Sequence, residues 1–428
     1  MNTTKKATGK LYHTLWQVVH QIPRWNIEKL ANKYGIDARK FSQTSHVVML
    51  LLGHLTHARC LTEICDNASV HRSKLHLVRR ATPAPRNTFS HANRTRDAAL
   101  AEELYWSTLD DMRRRSPGFA PLKPRAGGYL ARLRNREITA ADSTVISLAL
   151  NCVAAFPYKA KKAAAKAHMR INVGSFLPSV VVVTDGKTSD MSQSDALCEG
   201  LKSGDIFIID RGYVDFAFFR TLEERSIFWI TRQRGNMCYD VEAKREVKGD
   251  IVSDETVRLK LKNTAEKYPG TFRRVEACVE IDGKKKCMVF ITNNMTWCAR
   301  MICELYKSRW TIEIFFKELK QTLQLTDFIG TNENAVKWQI WTGLLLHLIL
   351  HYLKFLSGWN KSFSRLAGLA KSTVWVECDI VEILKIYGMA GPPQRPQCTM
   401  KQAYFEGFEP NTSNPVGWQK LANTNSNG

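Results

Sequence analysis

The stretch from Leu305 to Leu323, LYKSRWTIEIFFKELKQTL, constrains this chain more than any other. It holds no Pro or Gly, and good helix formers outnumber its few β-branched residues, so it reads as a helix. At ~100° per residue, Tyr306, Arg309, Glu313 and Lys320 fall within an arc of roughly 60°. Leu305, Ile312, Phe316, Leu319 and Leu323 fill a neighbouring arc of about the same width. The apolar arc requires a core to pack on. The stripe beside it sets a carboxylate between two cations, with an aromatic hydroxyl nearby, a set that suits a metal ion and a phosphate chain. A solvated helix face with i,i+4 pairs such as Arg309–Glu313 explains the same residues. Helical geometry alone leaves both readings open.

Charge narrows the partner. Lys+Arg 62 against Asp+Glu 40 leaves a formal +22 over 428 residues, a length that predicts two or three domains. Basic residues recur at Arg113-Arg114-Arg115, from Lys159 to Lys166, and at Lys284-Lys285-Lys286. Such an excess favours a polyanion, nucleic acid before anionic membrane. A basic protein without such a partner is the competing reading. Eleven cysteines are scattered without a CxxC pair or a Cys/His cluster. That argues against a zinc module and a disulfide framework, and fits a reducing cytosol. The N-terminal MNTTKKATGKLYHTLWQ has no signal-peptide core. The longest apolar run, Trp341 to Leu356, is broken by His347 and His351 and is short for a membrane span, so it reads as a buried helix. The two histidines stand at metal-ligand spacing. No glutamate follows them as in a zinc protease motif, and they read as a satisfied core pair.

Along the chain, residues 1–115 read as an all-α domain. Thr44 to Cys65 has helical periodicity with a break at Asp66-Asn67. Val70 to Arg80 is apolar on one side, basic on the other, and stopped by Pro83 and Pro85. Thr88-Phe89-Ser90 opens one longer helix, SHANRTRDAALAEELYWSTLDDMRRR. Short helices with exposed Arg and His suit a helix-turn-helix-like DNA module, and a helical scaffold packed on the next domain is the alternative. Residues 116–128 carry three Pro and three Gly and read as a linker.

Residues 129–236 then alternate strands and helices. Arg136 to Leu150 reads as a strand, Met169 to Asp185 as one or two more with Pro178 at a turn, and Ser192 to Ser203 as a helix. Ile206 to Ile209 reads as a buried strand, Phe216 to Glu224 as a helix, and Phe228 to Thr231 as a strand. The pattern predicts an α/β core with a mixed sheet. Short alternating strands over 237–293 read as a β-rich insertion. Residues 294–360 return to the core with the opening helix and a second long helix, Asn334 to Leu356. Residues 361–428 read as a C-terminal helix and a loosely held tail rich in Asn, Thr and Ser.

Three acids stand out by position. Asp142 lies inside the first strand, where a bare carboxylate needs a partner or a metal. Asp210 closes the buried IFII run, at the carboxyl end of a strand, where α/β sites assemble. Glu313 sits on the polar stripe. Two Asp and one Glu are hard oxygen ligands for Mg²⁺ or Mn²⁺, and two such ions activate water and stabilise a leaving oxygen. Asp185, after VVVVT, competes with Asp210 on the same argument, and Asp205 lies close by.

The helix spells Y-x2-R-x3-E-x6-K as Tyr306, Arg309, Glu313 and Lys320. With Asp142-Ser143-Thr144, Asp210-Arg211-Gly212-Tyr213 and the strand end Ile291-Thr292-Asn293-Asn294, it strongly resembles the DDE transposases of the insertion-sequence-four family. The stretch Asn87 to Asn93 is similar to the helical domain ahead of the catalytic domain in one branch of that family. The resemblance covers roughly residues 40–360 and implies a ribonuclease-H-like core, its mixed sheet flanked by helices, with a β-rich insertion between the second Asp and the Glu. It implies that Asp142, Asp210 and Glu313 hold two Mg²⁺ ions, replaceable by Mn²⁺, and that Tyr306, Arg309 and Lys320 contact phosphates of the transposon end. Arg211, Trp310 and Lys317 become candidate DNA contacts. The expected partners are double-stranded DNA, as inverted-repeat ends and target, and a second copy of the chain in the DNA complex. No membrane and no small-molecule cofactor are expected, and the place of action is the bacterial cytosol at the nucleoid. A catalytically inactive end-binding regulator and a ribonuclease-H-like nuclease without strand transfer are the alternatives. Some relatives carry a Trp in the insertion that stacks on a flipped base. Here Met288 falls near that position, with Trp229, Trp297 and Trp310 nearby, and base flipping is not implied.

Overall fold

The computed structural model describes residues 11–38, 40–121, 132–133, 135–148, 156–158, 163–281, 284–322 and 332–389. The end of the expected linker, Leu323 and the expected tail lie outside the described residues. The chain opens with β1 (Tyr12–His13), α1 (Thr14–His20), α2 (Asn26–Lys33), α3 (Gln43–Thr56), α4 (Leu61–Val70), α5 (Arg72–Leu77), α6 (Arg86–Thr95) and α7 (Ala99–Arg115). The middle follows as β2 (Ile138–Leu148), β3 (Ala163–Asn172), β4 (Leu177–Asp185), α8 (Ser194–Leu197), β5 (Ile206–Ile209), α9 (Phe216–Glu224) and β6 (Phe228–Arg232). Next come β7 (Tyr239–Lys244), β8 (Ile251–Leu259), α10 (Lys262–Ala265), β9 (Thr271–Ile281) and β10 (Lys284–Thr292). The chain ends in α11 (Ala299–Lys307), α12 (Trp310–Lys317), α13 (Glu333–Ser357), α14 (Phe363–Ser372), β11 (Glu377–Cys378) and α15 (Ile380–Met389).

Nine strands form one sheet in the order β4-β3-β2-β5-β6-β10-β9-β8-β7. β5 is parallel to β2 and β6 to β5, while β3 is antiparallel to β2 and β4 to β3. The first five strands therefore read 3-2-1-4-5 in chain order with only the second reversed, which is the ribonuclease-H-like arrangement. The IFII of β5 is buried at every residue, as a central strand covered on both faces must be. β10 pairs antiparallel with β6, from Phe290↔Arg232 to Thr292↔Ile230, so β7 to β10 prolong the sheet.

One face of the sheet carries a core shared by residues of β2, β3 and β4, the N-terminal helices, α12, α13 and α14. The N-terminal helices thus share one core with the rest of the molecule. Among the described residues, α13 is the single helix long and apolar enough to cross a membrane, and most of it is buried inside the fold. A second core lies under β5, α9 and the β8–β9 ladder, and a third joins β6 and β10 to α11.

Several expectations need correction. The helix expected over Thr44 to Cys65 breaks at His57–Cys60, not at Asp66-Asn67: His57 adopts a left-handed conformation (φ 57) and ends α3, and Asp66 and Asn67 lie inside α4. The single helix after Thr88 is split between α6 and α7 because α13 captures the intervening backbone. Asn334 donates to the carbonyls of Asn93 and Arg96, and Trp338 Nε1 donates to that of Arg96. Pro178 lies within β4 rather than at a turn, and the chain reverses at 173–176 instead. β4 is an edge strand, where a missing N–H is tolerated. The helix expected over Ser192 to Ser203 shrinks to a 3₁₀ turn and the four residues of α8. Cys278 and Cys287, opposite each other on β9 and β10, are joined as a disulfide. Hairpin register, which cysteine spacing does not reveal, brings these two cysteines together.

The helix expected over Leu305 to Leu323 is also not uniform. Arg309 N–H bonds the Tyr306 carbonyl at 3.0 Å and Ile312 N–H the Arg309 carbonyl at 3.0 Å, i→i+3 contacts that overwind the chain between α11 and α12. After Lys317 the winding loosens into a π-turn, Glu318–Thr322, which carries Lys320.

Candidate active site

β2 and β5 are neighbouring parallel strands whose register aligns Ala141 with Ile209. The next step along each strand is Asp142 and Asp210, so backbone pairing alone sets these two acids side by side. Asp210 turns the chain out of β5 by capping the 3₁₀ turn Arg211–Tyr213, its Oδ2 accepting from Gly212 N–H at 3.3 Å. α12 packs on β2 through its buried residues Ile312, Phe315 and Phe316. That packing delivers Glu313 to the same place.

Arg309 joins them. Its Nη1 donates to Asp142 Oδ2 at 3.3 Å and its Nη2 to Glu313 Oε1 at 2.6 Å. The Tyr306 hydroxyl donates to Asp210 Oδ1 at 3.5 Å, while its ring packs on Phe290 and faces the Arg309 guanidinium. Tyr306 and Arg309 are only 5% and 6% exposed. A solvated helix face does not bury its arginine, so the bland reading of this stripe fails. Trp310 and Lys320 are half-buried, and Arg211 and Lys317 are exposed. Among the described residues no ion pair links Lys320 to the three acids, and burial lowers its pKa.

Burial also decides the electrostatics. Desolvation pushes Asp142 up to about 7, against the pull of Arg309 and the Ser143 N–H, and the nearby Asp210 and Glu313 push the same way. Burial alone would lower the Arg309 guanidinium, but Tyr306, Glu313 and Asp142 reverse that and hold it charged. Burial raises the Tyr306 phenol, which keeps its proton. Three carboxylates thus converge around the Arg309 guanidinium. The donor set of the three acids is all oxygen, which fits a divalent cation.

The rival acids are spent elsewhere. Asp185 closes its own turn, accepting from Lys187 N–H at 2.8 Å and the Thr188 hydroxyl at 2.9 Å. Asp205 caps the opposite end of β5 through the N–H groups of Glu137 and Lys202. Trp229 is fully buried against Phe219, Met288 is buried, and Trp297 packs on Phe228. Two features escaped the sequence. Asp190 pairs with Lys166 at 2.8 Å and lies beside Gly212 in the Asp210 loop. Glu318 accepts from both His347 and His351. The acid–base spacing of neither cluster is local, and only the folded sheet and α13 bring them together.

Residues 134–349, half of the chain, match the transposase DDE domain family, and residues 7–78 match a domain of unknown function. Over 246 residues the chain is 28% identical to a protein of Sinorhizobium fredii named as a transposase, covering 56% of this chain and 67% of that one. A Synechocystis protein named for the insertion sequence element IS4SA is 24% identical over 268 residues, 62% of this chain and 71% of its own. The transposase of insertion sequence element IS4 from Escherichia coli is 25% identical over 175 residues, 39% of this chain and 38% of its own. A piggyBac transposase synaptic complex with hairpin DNA aligns over 96% of this chain and 87% of that chain, at a TM-score of 0.40 and 10% identity, too distant to argue from.

The sheet order and these matches define a DDE-class enzyme acting on DNA. The chain belongs to the transposase DDE domain family, whose members cleave DNA and transfer strands in a metal-dependent reaction.

Proposed function

We propose that Asp142, Asp210 and Glu313 are the catalytic acids and hold two Mg²⁺ ions, with Mn²⁺ able to replace them. The observation that carries this reading is the Arg309 bridge between Asp142 and Glu313, with Tyr306 on Asp210. The bound cations would supply Lewis-acid activation of water and stabilisation of the leaving oxygen. With the acids so engaged, Arg309 would turn its donors to a phosphate of the transposon end, Tyr306 would offer its hydroxyl to the next, and Lys320 would approach from the π-turn. Arg211, Lys317 and Trp310 extend the contact, and the exposed Arg72, Arg86 and Arg94 of the N-terminal helices, with Arg80 in the turn after α5, add further phosphate partners. Water attacks the phosphodiester at the element's end, leaving a 5′ phosphate and a free 3′ hydroxyl, and that hydroxyl then attacks a target phosphodiester whose own 3′ oxygen leaves. Inverted-repeat ends are the substrate, and joining two of them calls for a homodimer. The protein acts where the DNA is, at the nucleoid.

The test uses labelled duplexes carrying the element's ends. Asp142→Asn, Asp210→Asn and Glu313→Gln each abolish cleavage and leave end binding near wild type. Cleavage by Asp210→Asn, with none by Asp185→Asn, would reassign the second acid.

A further inference from the structure

The fold places a second group of ligand-type side chains outside the three acids. His347 and His351 stand one turn apart on α13, with ring centroids 4.2 Å from each other. Glu318, the first residue of the π-turn, reaches between them. Its Oε2 lies 2.8 Å from His347 Nε2 and 3.0 Å from His351 Nε2, and the three ligand atoms all lie within 4.8 Å of one another. Sequence spacing concealed this set, because the carboxylate comes from 29 residues upstream of His347 and from another element.

We propose that Glu318, His347 and His351 form a structural site for a borderline-soft divalent cation, zinc being the best match. Two imidazole nitrogens and one carboxylate oxygen make a His₂Glu set, which zinc takes with its ligands at about 2.0–2.2 Å. Ligand atoms of a tetrahedral zinc stand roughly 3.4 Å apart, so the two short contacts open by about half an ångström on binding. The shell is apolar: Phe315 packs edge-on to His347, Phe363 stacks on His351, and Phe176 lies beside both. Such a shell excludes competing water and holds the imidazoles in place. A half-buried carboxylate facing two imidazoles also has a charge that a cation offsets. Both histidines are buried, at 1% and 9% exposure.

The site differs in kind from the acid triad. Asp142, Asp210 and Glu313 offer hard oxygen only and suit Mg²⁺, whereas two imidazoles favour zinc, cobalt or nickel. It also has a structural consequence. Glu318 stands two residues before Lys320 on the same π-turn, so a cation there ties that turn to α13 and fixes where Lys320 projects.

The experiment uses the full chain, stripped by a chelator and kept in excess Mg²⁺ to saturate the hard site. We expect one equivalent of Co²⁺ to give the visible ligand-field absorption of a low-coordinate site, and Zn²⁺ to displace it and raise Tm by a few degrees. His347→Asn/His351→Asn loses both responses, while Asp142→Asn/Asp210→Asn retains them. X-ray absorption at the zinc edge of the wild-type protein reads the ligands without any variant, and imidazole scattering with no sulfur is expected. Failure of the wild type to take up Co²⁺ or Zn²⁺ under these conditions overturns the proposal. So does uptake that survives loss of both histidines, or a sulfur or all-oxygen shell at the zinc edge.

Discussion

At the scale of single residues, Arg309 bridges two of the three acids. It is buried, and of the two acids it reaches, Glu313 is four residues away in sequence and Asp142 is 167. A lysine in its place supplies the charge but not the planar fork, so it can neither bridge both carboxylates in the metal-free protein nor grip a phosphate with two parallel donors once the acids hold cations. Arg309→Lys is therefore expected to lower end cleavage at least tenfold, about 1.4 kcal/mol or more in the transition state, while bulk DNA binding changes little. A filter-binding assay run beside the cleavage assay separates the two, and unchanged cleavage would remove Arg309 from the reaction. How much of this was legible follows from distance along the chain. Tyr306, Arg309 and Glu313 share one helical stretch, so their grouping is visible in sequence. Asp142 and Asp210 become neighbours only through the register of β2 with β5. Asp190 and Glu318 have no local partner at all, and no pattern of residues points to them.

Elements show the same division. β5 and α9 keep their expected bounds because their patterns are strong and uninterrupted. Breaks were harder: α3 from α4, α6 from α7 and α11 from α12 are separated by left-handed residues, captured carbonyls and local overwinding. Tertiary contacts decide those positions, not propensity. The prolonged sheet has its own anchor. Arg273 on β9 grips Asp254 on β8 through Nε at 2.7 Å and Nη2 at 2.6 Å, both side chains buried, and also donates to the Trp297 carbonyl just before α11. This ties the β8–β9 ladder to the start of the helical stretch that carries Arg309 and Glu313. Asp254→Asn should cost roughly 3–5 kcal/mol, because it leaves a buried guanidinium uncompensated. The double variant Asp254→Leu/Arg273→Met should recover most of that loss. Urea unfolding of the three proteins checks both statements, and equal stability of the single variant and wild type would mean the pair contributes nothing.

For the whole molecule, net charge and buried histidines act in separate ways. A formal +22 implies DNA binding that weakens steeply with salt. End binding is expected to fall by at least tenfold between 50 and 200 mM salt, on the order of what a handful of phosphate contacts gives, and a flat isotherm would deny phosphates the leading part. Stability should depend on acid through the junction of the N-terminal helices with the rest. His46 is wholly buried and bonds Asn93 at 2.7 Å, and burial outweighs that bond to hold it down at about 3. His54 is buried against α13, bonding the Gln339 carbonyl and the Thr342 hydroxyl, and burial holds it at about 4. Both titrate near 6.5 once the chain unfolds, so between pH 6.5 and about 4 the unfolded chain binds protons that the fold refuses. Stability is then complete above pH 6.5 and is lost as pH falls, by about 2 kcal/mol for each histidine at pH 5. Asp142 works the other way in metal-free protein, since its raised value favours the fold as pH drops below about 7, and added Mg²⁺ should remove that compensation. His54→Gln isolates one contribution. The variant starts less stable than wild type at pH 7, and the gap should close by about 2 kcal/mol at pH 5. Denaturant midpoints at pH 7, 6 and 5 read the gap directly, and a gap constant with pH would show that His54 is not refusing a proton in the folded protein.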